Sequence, residues 1–121
     1  MKTIALEDLE SYKMAMELGE EVWEIAIKWG VFEKKTIGDQ LVRATDSIAA
    51  NIAEGYGRYH YGEKRQFSYY GRGSLFETKT WIKKAQNRNL ISDSDAKKMQ
   101  STLLSLGIKL NNYIKTLNQN K

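Results

Sequence analysis

A strict heptad seam near the C-terminus is the sequence feature that most constrains the fold. Its apolar members step by four and three residues in turn: Met99, Leu103, Leu106, Leu110, Tyr113 and Leu117. This spacing is typical of a helix that packs lengthwise against other helices. Ser92 or Asp93 is predicted to cap this helix at its N-terminus. The chain contains no proline, so no residue of that kind interrupts long helices.

Three more amphipathic segments precede this one. The first is predicted to run from about Asp8 to Trp29, with its core positions at spacings of three and four: Leu9, Tyr12, Met16, Gly19, Trp23 and Ala26. The third is predicted from about Glu63 to Arg88, with a different set of inward positions: Phe67, Tyr70, Ser74, Thr78, Trp81, Ile82 and Ala85.

The second segment is predicted to begin near Thr36, after a loop over 30–35. Thr36 and Asp39 have the spacing of a capping box, with Asp in place of the usual Glu. Its apolar stripe consists of Ile37, Leu41, Ala44, Ile48 and Ile52, and Gly55-Tyr56-Gly57 supplies a glycine-rich stop.

Connections of only a few residues place consecutive helices side by side in opposite directions. The sequence therefore predicts an all-α fold, an antiparallel up-down-up-down four-helix bundle that forms one domain over residues 1–121. Gly71 and Gly73 in the third segment are both expected to permit close helix approach.

The residues needed for most enzyme chemistry are missing. The chain has no cysteine and one histidine, His60, which stands in a short inter-helix loop. Di-iron bundles need Glu-x-x-His motifs, and none occurs. Gly55-Tyr56-Gly57 lacks the Gly-Lys-Ser/Thr sequence of a phosphate-binding loop. We expect no catalytic activity, no metal and no cofactor.

Targeting and membrane signals are not evident. No basic stretch followed by an apolar one opens the chain. No apolar run approaches the roughly 20 residues that a membrane span requires. Together with the lack of cysteine, these features lead us to expect a cytoplasmic protein that does not enter a membrane.

Charge is distributed unevenly along the chain. Residues 1–33 carry three basic and eight acidic side chains, whereas the remainder carries 16 basic and seven acidic ones. Such asymmetry favours an anionic partner for the basic part or acid-to-base contacts between subunits.

A second stripe on the third helix alternates bases with aromatic rings. Its members fall within about 80° of each other at 100° per residue: Arg65, Tyr69, Arg72, Phe76, Lys79 and Lys83. Cations and rings in this arrangement suit single-stranded nucleic acid, because phosphates can bind the Arg and Lys side chains while nucleobases stack on the aromatic rings. Packing against another subunit and simple solvent exposure are the alternatives.

The second helix has a polar stripe beside its apolar one, made of Gln40, Arg43, Ser47, Asn51, Glu54 and Arg58. It is poor in lysine and rich in side chains that form fixed hydrogen bonds. A solvated face is the default interpretation. The hypothesis is that these residues supply subunit contacts or fix the geometry of the bundle.

These same residues resemble the signature of the 23S rRNA intervening-sequence protein family. The matching positions are Asp39-Gln40, Arg43-Ala44, Ser47-Ile48, Asn51-Ile52-Ala53-Glu54-Gly55 and Arg58, followed by Arg72-Gly73-Ser74-Leu75 with Glu77, and by Leu90-Ile91. The opening Leu6-Glu7-Asp8-Leu9-Glu10 is also similar to the start of that family.

The resemblance implies a four-helix bundle that assembles into a ring-like homopentamer with a positively charged surface. It also implies a relation to the accessory variability determinants of diversity-generating retroelements, which bind a reverse transcriptase and nucleic acid. It supplies no catalytic residues. We therefore expect a homo-oligomer that binds RNA or another nucleic acid; the alternative is a protein adaptor that recruits a reverse transcriptase or another nucleic-acid enzyme.

Overall fold

The computed structural model describes residues 4–119, and helices account for nearly all of them. We number the four long helices α1 (Glu10–Ala26), α2 (Asp39–Tyr56), α3 (Tyr61–Asn87) and α4 (Asp93–Gln119). A short 3-10 turn, Leu6–Asp8, precedes α1. No strand occurs within residues 4–119, so the described chain is an all-helical bundle of four long helices.

The heptad seam of α4 is confirmed. Met99, Leu103, Leu106, Leu110 and Leu117 are all buried, and Tyr113 is half-buried beside them. The Ser92 hydroxyl oxygen accepts a hydrogen bond of 3.1 Å from the Asp95 backbone N–H, which confirms Ser92 as the N-terminal cap.

The predicted start of the second helix is wrong. Helical structure already begins with Val31–Glu33 and continues through π-helical turns, Lys34–Gly38, into α2. The Thr36 hydroxyl donates a hydrogen bond of 2.8 Å to the Phe32 carbonyl and caps no free N–H. Gly38 accommodates the wider turn, because a Cβ there would lie 3.1 Å from the Glu33 carbonyl oxygen.

The apolar stripe of α2 is confirmed, since all five predicted members are buried. They belong to one core that also takes side chains from α1, α3 and α4. Its largest fully buried members are Leu18, Leu41, Ile48, Ile52, Ile82, Leu103, Leu106 and Leu110. Burial of one leucine or isoleucine side chain stabilises the fold by roughly 1.5–3 kcal/mol.

The inward face of α1 differs from the prediction. Met16 and Trp23 are 46% and 49% exposed, whereas Ala15, Leu18 and Val22 are almost completely buried. Apolar residues on α1 form two adjacent stripes, both with helical spacing. The stripe with the smaller side chains faces the core because it permits closer packing of the helices.

One inward position of α3 is also wrong. Tyr70 is 50% exposed, and its hydroxyl oxygen accepts a hydrogen bond of 2.7 Å from the Gln66 amide. Leu75, which was not predicted as a core residue, is buried. A tyrosine at the boundary keeps its hydroxyl in water, and the fully apolar leucine takes the interior position.

α2 and α3 pack closely against each other. A Cβ on Gly55 would lie 3.0 Å from the Phe67 Cβ and 3.1 Å from the Lys64 carbonyl oxygen. Farther along, the hydroxyls of Ser47 and Ser74 are hydrogen-bonded at 2.9 Å. None of the helices within residues 4–119 combines the length and the apolar character needed to cross a membrane.

Candidate nucleic-acid interface

The six residues of the aromatic and basic stripe on α3, here called the α3 strip, lie on the flank of α3 that faces α4. They are Arg65, Tyr69, Arg72, Phe76, Lys79 and Lys83. None of them is buried, and the two rings are well exposed, with Phe76 58% accessible. The model thus places the whole predicted set at the surface and outside the core of the chain.

Each ring of the α3 strip has a cation beside it. The Arg72 guanidinium carbon lies 4.8 Å from the centroid of the Tyr69 ring, and the Lys79 Nζ lies 5.3 Å from that of Phe76. These distances fit cation–π attraction. Because Tyr69 and Phe76 are seven residues apart on a helix, the two pairs repeat at about 10.5 Å along its axis.

Contacts with α4 hold two of the bases in place. The Arg72 Nη1 donates a hydrogen bond of 3.0 Å to the Asn111 side-chain oxygen, and the Arg65 Nη1 donates a long one, 3.5 Å, to the Leu117 carbonyl. The Gln100 amide bonds the Lys79 carbonyl at 3.2 Å. Asn111 and Gln100 were not predicted for this site, because their role depends on how α4 lies against α3.

The bases of the α3 strip have no acidic partner among the residues that the structure describes. Within residues 4–119, ion pairs join only Lys13 to Glu10, Arg43 to Asp39 and Arg58 to Glu54. An open depression of about 430 Å³ adjoins the strip and is lined by Phe76, Lys79, Thr80, Lys83, Lys84 and Gln100. The local field is therefore positive, and the free cations can meet an anionic ligand.

The polar stripe of α2 divides into two groups. Ser47 and Asn51 are half-buried against α3: the Asn51 amide bonds the Ser47 carbonyl and hydroxyl oxygens at 2.8 and 2.9 Å, and Ser47 bonds Ser74. The Ser47–Ser74 bond joins α2 to α3, and Asn51 holds the Ser47 hydroxyl from the same helix. A role of the stripe in fixing the geometry of the bundle stays a prediction.

The remaining members of that stripe are closer to solvent. Gln40 and Glu54 are exposed, and the Arg43 guanidinium pairs with the Asp39 carboxylate at 2.8 Å. Asp39 also raises the pKa of Arg43 by accepting this hydrogen bond. A role of these residues in subunit contacts stays a prediction.

Arg58 is held within the chain. Its Nη2 donates a hydrogen bond of 3.2 Å to the Glu54 carboxylate, and its guanidinium carbon lies 4.8 Å from the centroid of the Phe67 ring. The stripe is thus anchored at its C-terminal end by a stacked and paired arginine.

No group of histidine, cysteine, aspartate or glutamate side chains within residues 4–119 is arranged to hold a metal ion. The α3 strip and the polar stripe of α2 both lie inside residues 7–112, which match the family model described as 23S rRNA-intervening sequence protein. The chain belongs to the 23S rRNA-intervening sequence protein family.

A solved structure agrees with this assignment at the level of the fold. A protein with unknown function of the S23 ribosomal protein family, from Bacteroides thetaiotaomicron, superposes with a TM-score of 0.78. The two sequences are 19% identical, and the alignment covers 87% of this chain and 98% of the other. No curated protein matches the sequence. The match to the 23S rRNA-intervening sequence protein family and the superposition thus agree on the helical fold.

Proposed function

We propose that this protein is a non-enzymatic homo-oligomer that binds RNA, or another nucleic acid, through the α3 strip. The observation that carries the proposal is that Arg65, Arg72, Lys79 and Lys83 lie among exposed rings and have no acidic partner in the described part of the chain. Phosphates would bind these cations and release counterions, while unpaired nucleobases would stack on Tyr69 and Phe76.

The proposal includes a homopentamer, which the family resemblance implies, and an up-down-up-down order of the helices. The order of the helices is supported by contacts along the chain. Early residues of α3 lie against late residues of α2, as with Phe67 and Gly55. Early residues of α3 likewise lie against late residues of α4, as with Arg72 and Asn111.

The test is a titration of fluorescent single-stranded RNA at several salt concentrations. Affinity should fall steeply as salt rises, because each phosphate contact releases a counterion. An affinity that stays flat from low to high salt would reject the proposal.

Charge reversal locates the site. The double variant Arg72→Glu/Lys79→Glu should lose RNA binding and keep the oligomeric state of the unchanged protein. The matched control is Lys28→Glu/Lys35→Glu, which makes the same change in net charge at exposed positions between α1 and α2. If the α3 variant loses the oligomer as well, the strip is a subunit interface instead.

A protein adaptor that recruits a reverse transcriptase is the competing proposal, and it uses the same exposed rings as a protein-binding surface. Under that proposal, the isolated protein would not bind RNA, and the Arg72→Glu/Lys79→Glu variant would fail to retain the enzyme. RNA binding by the purified protein alone therefore separates the two.

A further inference from the structure

An apolar groove runs along the outside of α1 and α2, on a different side of the bundle from the α3 strip. Two depressions follow one another along this pair of helices. One of about 220 Å³ is lined in part by Trp23, Ile27 and Val42, and one of about 330 Å³ by Met16, Ala50 and Ala53. We call these two depressions together the α1–α2 groove.

The apolar side chains of this groove are left partly uncovered by the residues that the structure describes. Met16, Trp23 and Ile27 are each about half exposed, and their spacing of seven and four residues puts them on one face of α1. Opposite them, α2 contributes alanines, whose small side chains leave space for the groove. Isolated exposed apolar residues are common, but a contiguous apolar surface of this kind marks an interaction site.

The charge of the groove indicates what it binds. Glu20 and Asp46 line its second depression, and neither has an ion-pair partner within residues 4–119. Burial and the negative charge of Glu20 raise the pKa of Asp46. Lys34 is the one base lining the two depressions. The complementary surface is therefore apolar and carries cations.

The outer face of α4 has this complementary character. Leu104 and Ile108 are 64% and 55% exposed, one helical turn apart. Lys97 stands seven residues before Leu104, and Lys115 seven residues after Ile108, so all four fall within about 40° on the helix. No acidic residue follows Asp95 in the sequence. We call these four residues the α4 ridge.

We propose that the α1–α2 groove of one copy receives the α4 ridge of the next copy. Leu104 and Ile108 would pack against Met16 and Trp23, and a ridge lysine would approach the Glu20 and Asp46 carboxylates. This inference rests on the homo-oligomer of the proposed function and names the two surfaces that form it. The ridge lies beside the α3 strip, since Leu104 is four residues after Gln100 and seven before Asn111, the α4 residues that bond the strip.

Because the groove and the ridge are different surfaces, the contact is heterologous. Every copy offers one groove and one ridge, so the arrangement closes into a ring if the rotation between neighbours allows it. A protein of different sequence with a basic apolar helix would fit the groove equally well by shape. The second copy is favoured because the same chain carries the matching charges and apolar residues on its own free face.

The experiment uses one blocking change on each surface, with mass measured by sedimentation and light scattering. Ala50→Arg fills the exposed floor of the groove, and Leu104→Glu places a carboxylate in the middle of the ridge. Either variant alone should be monomeric, because every copy then lacks the same half of the contact. An equimolar mixture should form a 1:1 dimer and nothing larger, since one intact groove and one intact ridge remain. Ser105→Glu, an exposed position on another side of α4, is the matched control and should keep the size of the unchanged protein.

Other outcomes overturn the inference. If both variants keep the full oligomer, the interface lies elsewhere, while the proposed homo-oligomer stands. If the mixture stays monomeric although helix content and melting are unchanged, the contact is not heterologous. If the unchanged protein is monomeric at every concentration, both the proposed oligomer and this interface are wrong. A monomer that binds a basic amphipathic peptide in the groove would assign the groove to another protein. RNA titration of the Ala50→Arg variant, whose change lies on the α1–α2 side and away from the α3 strip, tests the nucleic-acid proposal separately.

Discussion

The Trp29 indole N–H donates a hydrogen bond of 3.0 Å to the carbonyl of Leu90, 61 positions later in the chain. This contact joins the end of the α1 segment to the turn between α3 and α4. The turn is also held by its own backbone, because the Leu90 N–H bonds the Ala85 carbonyl at 2.8 Å and Asn89 adopts a φ of 62°. Asparagine tolerates this left-handed conformation better than most residues.

Replacing Trp29 with Phe should lower the free energy of unfolding by about 1 kcal/mol, because a phenyl ring cannot donate the hydrogen bond that the Leu90 carbonyl accepts from the half-buried indole. Urea denaturation measures the change. Trp81→Phe is the control, because the Trp81 indole bonds Glu77 only four residues away at the surface. Trp81 also packs against the core, so its replacement shares the loss of ring packing, while the loss of its surface hydrogen bond should add no more than a few tenths of a kcal/mol. Equal losses for the two variants would contradict the structural role of Trp29.

Local sequence signals were sufficient for part of the fold. The α4 seam and the Ser92 cap depend on residues within a few turns of each other, so both could be predicted. The choice between Ala15 and Met16 on α1 could not be, because both stripes have helical spacing and only the distance to the neighbouring helices separates them. Thr36 was misassigned for a related reason: the π-helical turns that carry the helix past it are not visible in the capping pattern.

Gly71 and Gly73 were both expected to allow close helix approach, but only Gly71 lies against a neighbouring helix. A Cβ on Gly71 would lie 3.6 Å from the Asn51 Cβ and from the Ile48 carbonyl oxygen, whereas nothing lies within 4 Å of one on Gly73. Gly71→Gln should therefore destabilise the protein by about 1–3 kcal/mol through overpacking. Gly73→Gln should stabilise it by up to about 1 kcal/mol through helix propensity. Thermal and urea unfolding check the pair, and a shift of the same sign in both would show that α2 does not pack on Gly71.

The candidate site was only partly visible in the sequence. Exposure of the α3 strip follows from its position on a flank of α3, outside the buried face on a 3.6-residue repeat, and that repeat is present in the sequence. The partners of Ser47 and Asn51 do not follow, because Ser74 lies 27 residues beyond Ser47 and meets it only when α2 and α3 pack. Ile108 and Leu104 fall outside the heptad seam, and their spacing of four was the one available sign of the α4 ridge.

If RNA binds to the α3 strip, replacing a base and replacing a ring should change the salt dependence of RNA affinity differently. Lys79→Gln removes one cation and should reduce the slope of log affinity against log salt by about 1. Phe76→Ala should weaken binding by about 1–3 kcal/mol through lost stacking and leave the slope unchanged. Fluorescence anisotropy over a salt series measures both quantities. If Phe76→Ala has no effect on affinity, the rings do not touch nucleobases and the strip binds phosphate alone.

The Asp46 carboxylate makes stability depend on pH. Burial, and then the negative charge of Glu20, raise its pKa above the ordinary 3.8. The folded chain thus holds the Asp46 proton more tightly than the unfolded chain does, so ionised Asp46 destabilises the fold at neutral pH and the penalty disappears as pH falls through the raised pKa.

Asp46→Asn should therefore raise the free energy of unfolding at pH 7, by less than about 1 kcal/mol because water screens a carboxylate this exposed. The gain should vanish at acid pH, once Asp46 is protonated in the parent chain. The measurement belongs in the Leu104→Glu background, where the groove is expected to stay empty. Glu17→Gln, an exposed position on α1, controls for the loss of one negative charge.

Asp46→Asn should weaken self-association when Leu104 is kept, because it removes a carboxylate that a lysine of the neighbouring copy approaches. If Asp46→Asn strengthens self-association instead, no cation approaches that side chain in the assembly.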